Sequence, residues 1–186
     1  MIGTDIIQKC IAKDQQGYRC LYEACIPYVY SVVKSYVPEE FYQKDIIQDI
    51  FAKVFKSIEQ YDAAAGEFKY WLRKISVNFC LMHLRKTKNF TPIVPIDKYN
   101  EQIADGSSGI SENISREEIN QLLQIMPPGY KTIFLLVAID GYSHEEVSLE
   151  LNISSGTSRS QYLRAKNFIR EHILNNSNKL KYGINH

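Results

Sequence analysis

Hydrophobic side chains recur every three to four positions along most of this 186-residue chain, which is the spacing of amphipathic helices. A short helix is predicted to begin at Thr4, and a longer one after Gly17. Pro27 is expected to kink or split the longer helix, because proline lacks the N–H of the helical ladder, and Pro38 marks its end. The pattern predicts an all-α fold.

The most regular apolar stripe lies between residues 47 and 58, and a second one follows Gly66. Both predict helices that bury one wide face. The polar face of the first helix, taken alone, indicates only a solvated surface. The first stripe comprises Ile47, Ile50, Phe51, Val54, Phe55 and Ile58, and the second comprises Phe68, Trp71, Leu72, Ile75, Phe79 and Met82.

Towards the C-terminus, the pattern predicts a helix-turn-helix, which is a pair of helices joined by a short turn. Ser143 and Glu146 have the spacing of a capping box at the start of the first helix. Asn152 falls where the chain must turn, and asparagine tolerates a left-handed backbone. Ser154 is expected to cap the second helix. A turn at residues 126–129 is predicted ahead of this motif.

Residues 89–114 lack a helical stripe and are rich in proline, glycine, serine and acidic residues. They are interpreted as an acidic, flexible linker. The linker separates two small helical domains, residues 1–88 and 115–175, and a polar tail at 176–186 is expected to be frayed. A capping box at Ser115 is predicted to open the second domain.

The distribution of charge is more informative than the formal net charge, which is only +1. All charged residues in the segment 68–90 are basic, and those in the segment 155–170 are basic as well. Cations interleaved with Tyr and Asn suit an unpaired strand, because aromatic faces stack on bases while cations hold the backbone. A purely structural helix has a similar composition. The residues of this first basic surface are Lys69, Tyr70, Arg73, Lys74, Asn78, Arg85 and Lys86.

The second helix of the helix-turn-helix begins with hydroxyl, arginine and glutamine side chains. Such groups reach base edges and phosphates in a major groove. An ordinary helical hairpin with a solvated basic face is the alternative interpretation. The predicted DNA contacts on this helix are Ser155, Gly156, Thr157, Ser158, Arg159, Gln161 and Arg164.

Other chemistry has little support in the sequence. The cysteines at positions 10, 20, 25 and 80 form no CxxC pair and have no histidine at metal-ligand spacing, so we expect buried free thiols, no metal and no cofactor. A nuclease that uses Asp45 and Asp49 would lack a third ligand or a general base. The sequence has neither a signal-peptide pattern nor an apolar run of membrane-spanning length. We therefore expect a soluble, cytoplasmic protein that is not an enzyme.

The order of these segments resembles the RNA polymerase sigma factors of the small extracytoplasmic-function (ECF) group. The resemblance rests on DIIQDIFAKVF (45–55), on GEFKYWLRKISVN (66–78), and on MPPGYKTIFLL (126–136) followed by GYSHEE (141–146) and ISSGT (153–157). It implies a factor that binds core RNA polymerase and directs transcription initiation through the −10 and −35 promoter elements. It also implies an inhibitory anti-sigma factor as a partner, which in this family is often membrane-anchored.

The resemblance also implies roles for particular residues. The helix around Asp45, Gln48, Asp49 and Lys53 would dock on core polymerase. The loop from Asp62 to Glu67, with Gly66 among its small residues, would hold a flipped −10 base. The basic surface that follows, with Asn78, Arg85 and Lys86, would hold the displaced strand. The second helix of the helix-turn-helix would read the −35 element.

Four residues depart from the family pattern; Ser148 in place of alanine and Asn152 in place of glycine are expected to be tolerated. Ser158 stands where an aliphatic residue is usual, which predicts looser packing of the recognition helix. His83 stands where aspartate is common, which leaves the −10 preference open. It is interpreted as a surface histidine, with a pH-sensitive phosphate contact as the alternative. The alternative function is a stand-alone regulator whose first domain senses a signal or dimerises. The basic helix at 68–88 argues against it, because a sensor domain has no need of such a surface.

Overall fold

The computed structural model describes residues 2–87 and 116–181, and the chain divides into two units between Asn89 and Phe90. Every regular element within those ranges is helical, which confirms the all-α prediction. The predicted linker at 89–114 and the predicted capping box at Ser115 lie outside the described residues.

The described part of the N-terminal unit is built from helices that pack around one apolar core. Helices α2, α3 and α4 pack against one another, and α1 packs on α2. Burying an aliphatic side chain contributes about 1.5–3 kcal/mol, so these helices are held together mainly by their apolar faces. The helices are α1 (Thr4–Ile11), α2 (Gln15–Tyr36), α3 (Glu40–Ser57) and α4 (Phe68–Lys86), with a 3-10 turn at Ile58–Gln60. Core residues that are at most 1% exposed include Leu21, Val29, Ile50, Leu72 and Leu81.

Pro27 was expected to kink or split α2; the helix runs unbroken from Gln15 to Tyr36, so it is not split. The helix begins where the Asp14 carboxylate accepts a hydrogen bond from the Gln16 N–H at 3.0 Å. Pro27 removes one bond from the helical ladder. Cys25 and Val29, on either side of it, are both buried in the core. Burial of these flanking residues offsets the missing hydrogen bond.

Two close contacts fix the ends of α2. Near its start, Gly17 lies so close to α1 that an added Cβ would be 2.6 Å from the Cβ of Lys9. Just past its end, the buried Gln43 of α3 donates a hydrogen bond from Nε2 to the carbonyl of Val37 at 2.8 Å. The neighbouring helices are therefore held at both ends of α2.

The buried face of α4 is rotated relative to the predicted stripe. Phe68 and Leu72 are buried as expected, but Met82 is 42% exposed and Trp71 is only half-buried. The small residues Ser76 and Cys80 also lie on the buried face. A prediction based on large apolar side chains alone does not place them there. The buried residues of α4 are Phe68, Leu72, Ser76, Val77, Cys80, Leu81 and Leu84.

The described part of the C-terminal unit is also helical. Pro128 is the first residue of its helix rather than part of the predicted turn, a position at which the missing N–H of proline costs nothing. The last helix continues to Lys181, so the tail predicted to be frayed from residue 176 is helical as far as that residue. The elements are α5 (Arg116–Ile125), α6 (Pro128–Phe134), a π-helical segment (Leu135–Ile139), α7 (His144–Leu151) and α8 (Ser155–Lys181).

Candidate nucleic-acid interface

Local hydrogen bonds set the start of each helix in the helix-turn-helix formed by α7 and α8. The Ser143 hydroxyl accepts from the Glu146 N–H at 3.1 Å, and the Glu146 carboxylate accepts from the Ser143 N–H at 2.8 Å, which confirms the capping box. Asn152 has a φ of 52°, as predicted for the turn. The Ser154 hydroxyl accepts from the Thr157 N–H at 2.9 Å, which confirms the cap of α8. These bonds fix the residues at which α7 and α8 begin.

Two consecutive residues of α7 pair with two consecutive residues of α8. His144 Nδ1 lies 2.8 Å from the Ser158 hydroxyl in a partly buried position. Next to it, Arg159 Nη2 donates to Glu145 Oε1 at 2.5 Å, with the two side chains 58% and 65% exposed. The inner pair fixes the register of the two helices, and the outer pair places the guanidinium at the surface of α8.

The surroundings of His144 favour the neutral form of its imidazole ring. Burial lowers the pKa of His144 from its usual 6.5, and the positive charges of Arg159 and Lys166 lower it further, against the smaller opposing effect of Glu145. The ring also packs edge-on against Tyr162, with 5.6 Å between ring centroids. The chain thus provides a neutral hydrogen-bonding partner for the buried hydroxyl of Ser158.

Two of the predicted DNA contacts on α8 are wrong. Ser158 and Gln161 are 0% and 2% exposed, so neither side chain is accessible to DNA. They lie at helical spacing from Ala165 and Ile169, which are buried in the core of the unit. Ser158 is therefore a packing residue with a hydrogen-bond partner, not the source of the looser packing that its polarity predicted.

The outer face of α8 contains two residues that sequence reasoning did not select. Ser160 is exposed, and Leu163 is 40% exposed at four positions from Arg159. The three-to-four-residue spacing from Gly156 and Arg159 was the signal that could have found them. An exposed leucine suits contact with a thymine methyl group. Of the other predicted contacts, Gly156 and Arg159 are exposed, whereas Ser155, Thr157 and Arg164 are half-buried.

In the N-terminal unit, the loop that precedes α4 is shaped by its own hydrogen bonds. The Asp62 carboxylate accepts from the backbone N–H two residues further on at 2.9 Å, and the Tyr61 hydroxyl donates to the Gly66 carbonyl at 3.0 Å. The Tyr61 ring packs on Phe68 and Trp71, with centroid distances of 5.3 Å and 5.7 Å. The loop therefore presents backbone and small side chains above an aromatic cluster.

The polar face of α4 carries the predicted −10 residues. Tyr70 is 65% exposed, which leaves much of its ring available for stacking. Lys69 Nζ lies 5.3 Å from the ring centroid of Tyr28 on α2, a cation–π contact that restrains the ammonium group. Among the predicted residues of this helix, Arg73 is half-buried and the others are exposed. The exposed ones are Lys69, Tyr70, Lys74, Asn78, Arg85 and Lys86.

His83 is not the plain surface histidine that the sequence suggested. Its ring is half-buried against Tyr42 of α3, with 4.7 Å between centroids. Its Nε2 is buried and has no hydrogen-bond partner among the described residues. His83 therefore packs between α3 and α4.

A groove of about 770 Å³ runs between α2 and α3. Tyr22 and Phe51 form part of its wall, with ring centroids 4.5 Å apart. Gln48 lines the groove, and the other residues predicted to dock on polymerase, Asp45, Asp49 and Lys53, are exposed on the same helix. The lining residues are Tyr22, Ile26, Tyr30, Glu40, Gln43, Lys44, Ile47, Gln48, Phe51, Ala52 and Phe55.

The prediction of buried free thiols is confirmed for Cys10, Cys25 and Cys80 and is wrong for Cys20, which is exposed. Burial raises the pKa of Cys25 to about 11. In residues 2–87 and 117–173, no three His, Cys, Asp or Glu side chains come together as a metal site. None of the described helices has the length and apolarity needed to cross a membrane.

Two family models match the chain in sequence order: Sigma-70 region 2 over residues 21–90, and Sigma-70, region 4, over residues 116–169. The ECF RNA polymerase sigma factor SigE of Mycolicibacterium smegmatis is 26% identical over 141 residues, which cover 73% of this chain and 53% of that protein. The ECF RNA polymerase sigma-E factor of Escherichia coli is 25% identical over 175 residues, which cover 88% and 90%. The chain thus matches about half the length of the first relative and most of the second.

Among solved structures, CnrH in complex with the cytosolic domain of CnrY covers 90% of this chain and 94% of its own. Its sequence identity is 16% and its TM-score is 0.47.

Proposed function

This chain belongs to the extracytoplasmic-function group of sigma-70 RNA polymerase sigma factors, and from that premise we propose that it binds core polymerase and directs initiation at its promoters. The observation that carries the proposal is the order of two matched regions, each with an exposed basic helix face. A stand-alone operator-binding regulator requires only the second region. The chain would supply promoter specificity in the cytoplasm, and the polymerase would supply the chemistry.

The N-terminal unit is proposed to hold the melted −10 element. Flipping a base out of the stack costs a few kcal/mol, and stacking on an aromatic side chain returns about 1–3 kcal/mol per base. Tyr70 offers such a surface, and Lys74, Arg85 and Lys86 offer phosphate contacts on the same helix. The loop from Asp62 to Gly66, with its small side chains, leaves room for an extruded base.

The C-terminal unit is proposed to read the −35 element with the outer face of α8. Arg159 is the strongest candidate for a base contact, because a guanidinium can donate two hydrogen bonds to guanine O6 and N7. Gly156 allows close approach of the backbone, and Ser160 and Leu163 extend the same face.

The groove between α2 and α3 is proposed to seat a helical segment of core polymerase. Apolar side chains of an amphipathic helix fill a groove of this kind, while polar residues at its edge set the orientation. Gln48 lies in the groove, and Asp45, Asp49 and Lys53 are exposed on the same helix.

An arginine placed in this groove tests the polymerase-docking proposal. Ala52 lines the groove and is exposed, so Ala52→Arg should abolish core binding without unfolding the chain. Ala24→Arg is the matched control, because Ala24 is exposed on α2 but does not line the groove. Equal core affinity of the two variants, measured by fluorescence anisotropy with labelled chain, would place the docking surface elsewhere.

An anti-sigma factor is proposed as a further partner, on the basis of family membership. The C-terminal unit exposes large apolar side chains that such a protein could cover, among them Leu149 at 81% and Ile125 at 62%. A protein that copurifies with the chain and abolishes its transcription when added back would support this proposal. A copurifying protein without effect on transcription would not.

Run-off transcription tests the proposed function as a whole. Core polymerase is incubated with fragments of the source genome, with and without the purified chain. Discrete transcripts that depend on the chain are expected, and alignment of their start sites would give both promoter elements. If core is never bound and no start appears, but the chain still shifts discrete duplex fragments, the stand-alone regulator is the better account.

A further inference from the structure

The surface of the helix-turn-helix that is proposed to meet DNA contains a carboxylate, although DNA phosphates repel negative charge. Glu145 lies in the first turn of α7, and its side chain is 65% exposed. We propose that Glu145 is a positioning residue: it holds Arg159 for base recognition and thereby sets the sequence selectivity of α8. This inference rests on the proposed −35 function of α8.

The contact between the two side chains orients the guanidinium without occupying all of it. Arg159 Nη2 donates to Glu145 Oε1 at 2.5 Å, and Nη1 lies 3.5 Å from the Ser155 hydroxyl. A guanidinium has five N–H donors in a planar fork. Donors therefore remain for a guanine edge while the carboxylate restricts the rotation of the side chain.

The surroundings hold Glu145 itself in place. The adjacent residue, His144, is bonded to Ser158, so the register of α7 on α8 brings Glu145 onto Arg159. The capping box at Ser143 fixes the first turn of α7, where the helix dipole favours an acidic side chain. The carboxylate is therefore attached to a backbone segment that is held in place from both sides.

Without the carboxylate, we expect Arg159 to turn to a phosphate. A long cationic side chain near DNA finds phosphate oxygens at every sequence, and such contacts raise affinity without carrying sequence information. Glu145 neutralises part of that attraction and keeps the guanidinium in one orientation. Its expected effect is to lower affinity for all sequences while raising the preference for one.

Replacement of Glu145 is therefore expected to change affinity and selectivity in opposite directions, and both are measured. Holoenzyme containing wild-type chain, Glu145→Ala or Glu145→Gln is equilibrated with promoters whose −35 element is randomised, and bound sequences are counted at several salt concentrations. For Glu145→Ala we expect at least about a fivefold loss of preference at one or two adjacent base pairs, comparable to part of the discrimination given by one bidentate contact. Binding to unrelated sequences should be equal or tighter, and the slope of log K against log salt should steepen by about 0.9, the value for one added phosphate contact. Glu145→Gln, which can still accept a hydrogen bond, should lie between the two.

A matched control and an epistasis test separate positioning from general charge effects. Glu171→Ala removes the same charge from α8, the helix that carries Arg159, at a position about 18 Å along that helix from Arg159 at 1.5 Å per residue, and should leave the −35 preference unchanged. In an Arg159→Ala background, Glu145→Ala should change the preference no further, because its effect passes through Arg159.

Two results would overturn the inference in different ways. If wild type selects a −35 sequence and Glu145→Ala selects it equally well, Glu145 does not position Arg159. If wild-type holoenzyme selects no −35 sequence at all, the proposed function of α8 fails, and the inference fails with it. Melting temperatures measured by circular dichroism should be alike for all variants, because both side chains of the pair are mostly exposed.

Discussion

Single buried polar contacts decide how α7 meets α8. Ser158 is completely buried, and a buried hydroxyl left without a partner costs about 1–3 kcal/mol. His144 supplies that partner at 2.8 Å, and its neutral ring also packs on Tyr162. Burial, together with the nearby Arg159 and Lys166, opposes a positive charge on this ring.

The lowered pKa of His144 makes the stability of the C-terminal unit depend on pH. Since the unfolded chain binds this proton more readily than the folded one, the contribution is complete above the ordinary pKa of 6.5 and is lost as the pH falls through the folded value. We expect the imidazole of His144 to titrate below 6.5 in an NMR pH series. The His144→Gln variant identifies the resonance, and a midpoint at or above 6.5 would contradict the assignment of a desolvated neutral ring.

At the scale of single residues, the sequence predicts those features that form between residues close together in the chain. The capping box at Ser143, the left-handed turn at Asn152 and the cap at Ser154 are confirmed, because each is formed within four residues. The burial of Ser158 and Gln161 was missed, because it depends on which side of α8 packs against the rest of the unit. Polarity alone does not contain that information.

The helices show the same limit in the orientation of α4. A stripe of large apolar residues predicted Leu72 and Met82 on one buried face, whereas Leu72 is 1% exposed and Met82 42%. Similarly, Pro27 was expected to kink or split α2, and the buried residues on either side of it keep that helix from splitting. The existence of the helices follows from periodicity, but tertiary packing sets their rotation and their tolerance of proline.

Paired truncations test the observed orientation of α4. Leu72→Ala should destabilise the N-terminal unit by about 2–5 kcal/mol, because it leaves a cavity in a closely packed core. Met82→Ala should change stability by less than about 0.5 kcal/mol, as expected for a largely exposed side chain. Urea unfolding followed by fluorescence of Trp71, the only tryptophan in the chain, measures both. Similar losses of stability in the two variants would show that Met82 is buried, as the sequence pattern predicted.

The packing of α1 on α2 depends on the absence of a side chain at Gly17. An added Cβ would lie 2.6 Å from Lys9 Cβ and 3.0 Å from the Lys9 carbonyl carbon. Overpacking of this kind costs about 1–3 kcal/mol, which exceeds the gain of about 1 kcal/mol in helix propensity. We therefore expect Gly17→Ala to lower the thermal stability measured by far-ultraviolet circular dichroism.

Gly156→Ala provides the control for that substitution. It makes the same exchange in α8, but the added Cβ would approach the Ser154 hydroxyl only to 3.7 Å, an ordinary contact. We expect its stability to equal or slightly exceed that of wild type. If both alanine variants behave alike, the close approach at Gly17 is not what fixes α1.

On the scale of the whole molecule, family membership and the charge pattern both support the proposal of two nucleic-acid surfaces, one in each unit. The basic face of α4 and the outer face of α8 belong to different matched regions, 21–90 and 116–169. Runs of basic residues in the sequence are what predicted both surfaces. It could not select the individual contacts on α8, because these depend on its rotation.

Two substitutions, one in each surface, test whether the units contribute independently to promoter binding. Arg159→Ala should cost about 1–3 kcal/mol and relax selectivity at the −35 element. Lys74→Ala should weaken binding to all −35 sequences alike and reduce the salt slope by about 0.7–0.9, because a phosphate contact carries no sequence information.

In holoenzyme binding to one promoter at fixed salt, the double variant should lose the sum of the two free energies within about 0.3–0.5 kcal/mol, since the two residues belong to separate units. Glu145 and Arg159 are the contrasting pair, because they lie in one unit. The effects of their substitutions on the −35 preference should not add. A clear departure from additivity for Lys74 and Arg159 would mean that engagement of one promoter element changes how the other is bound.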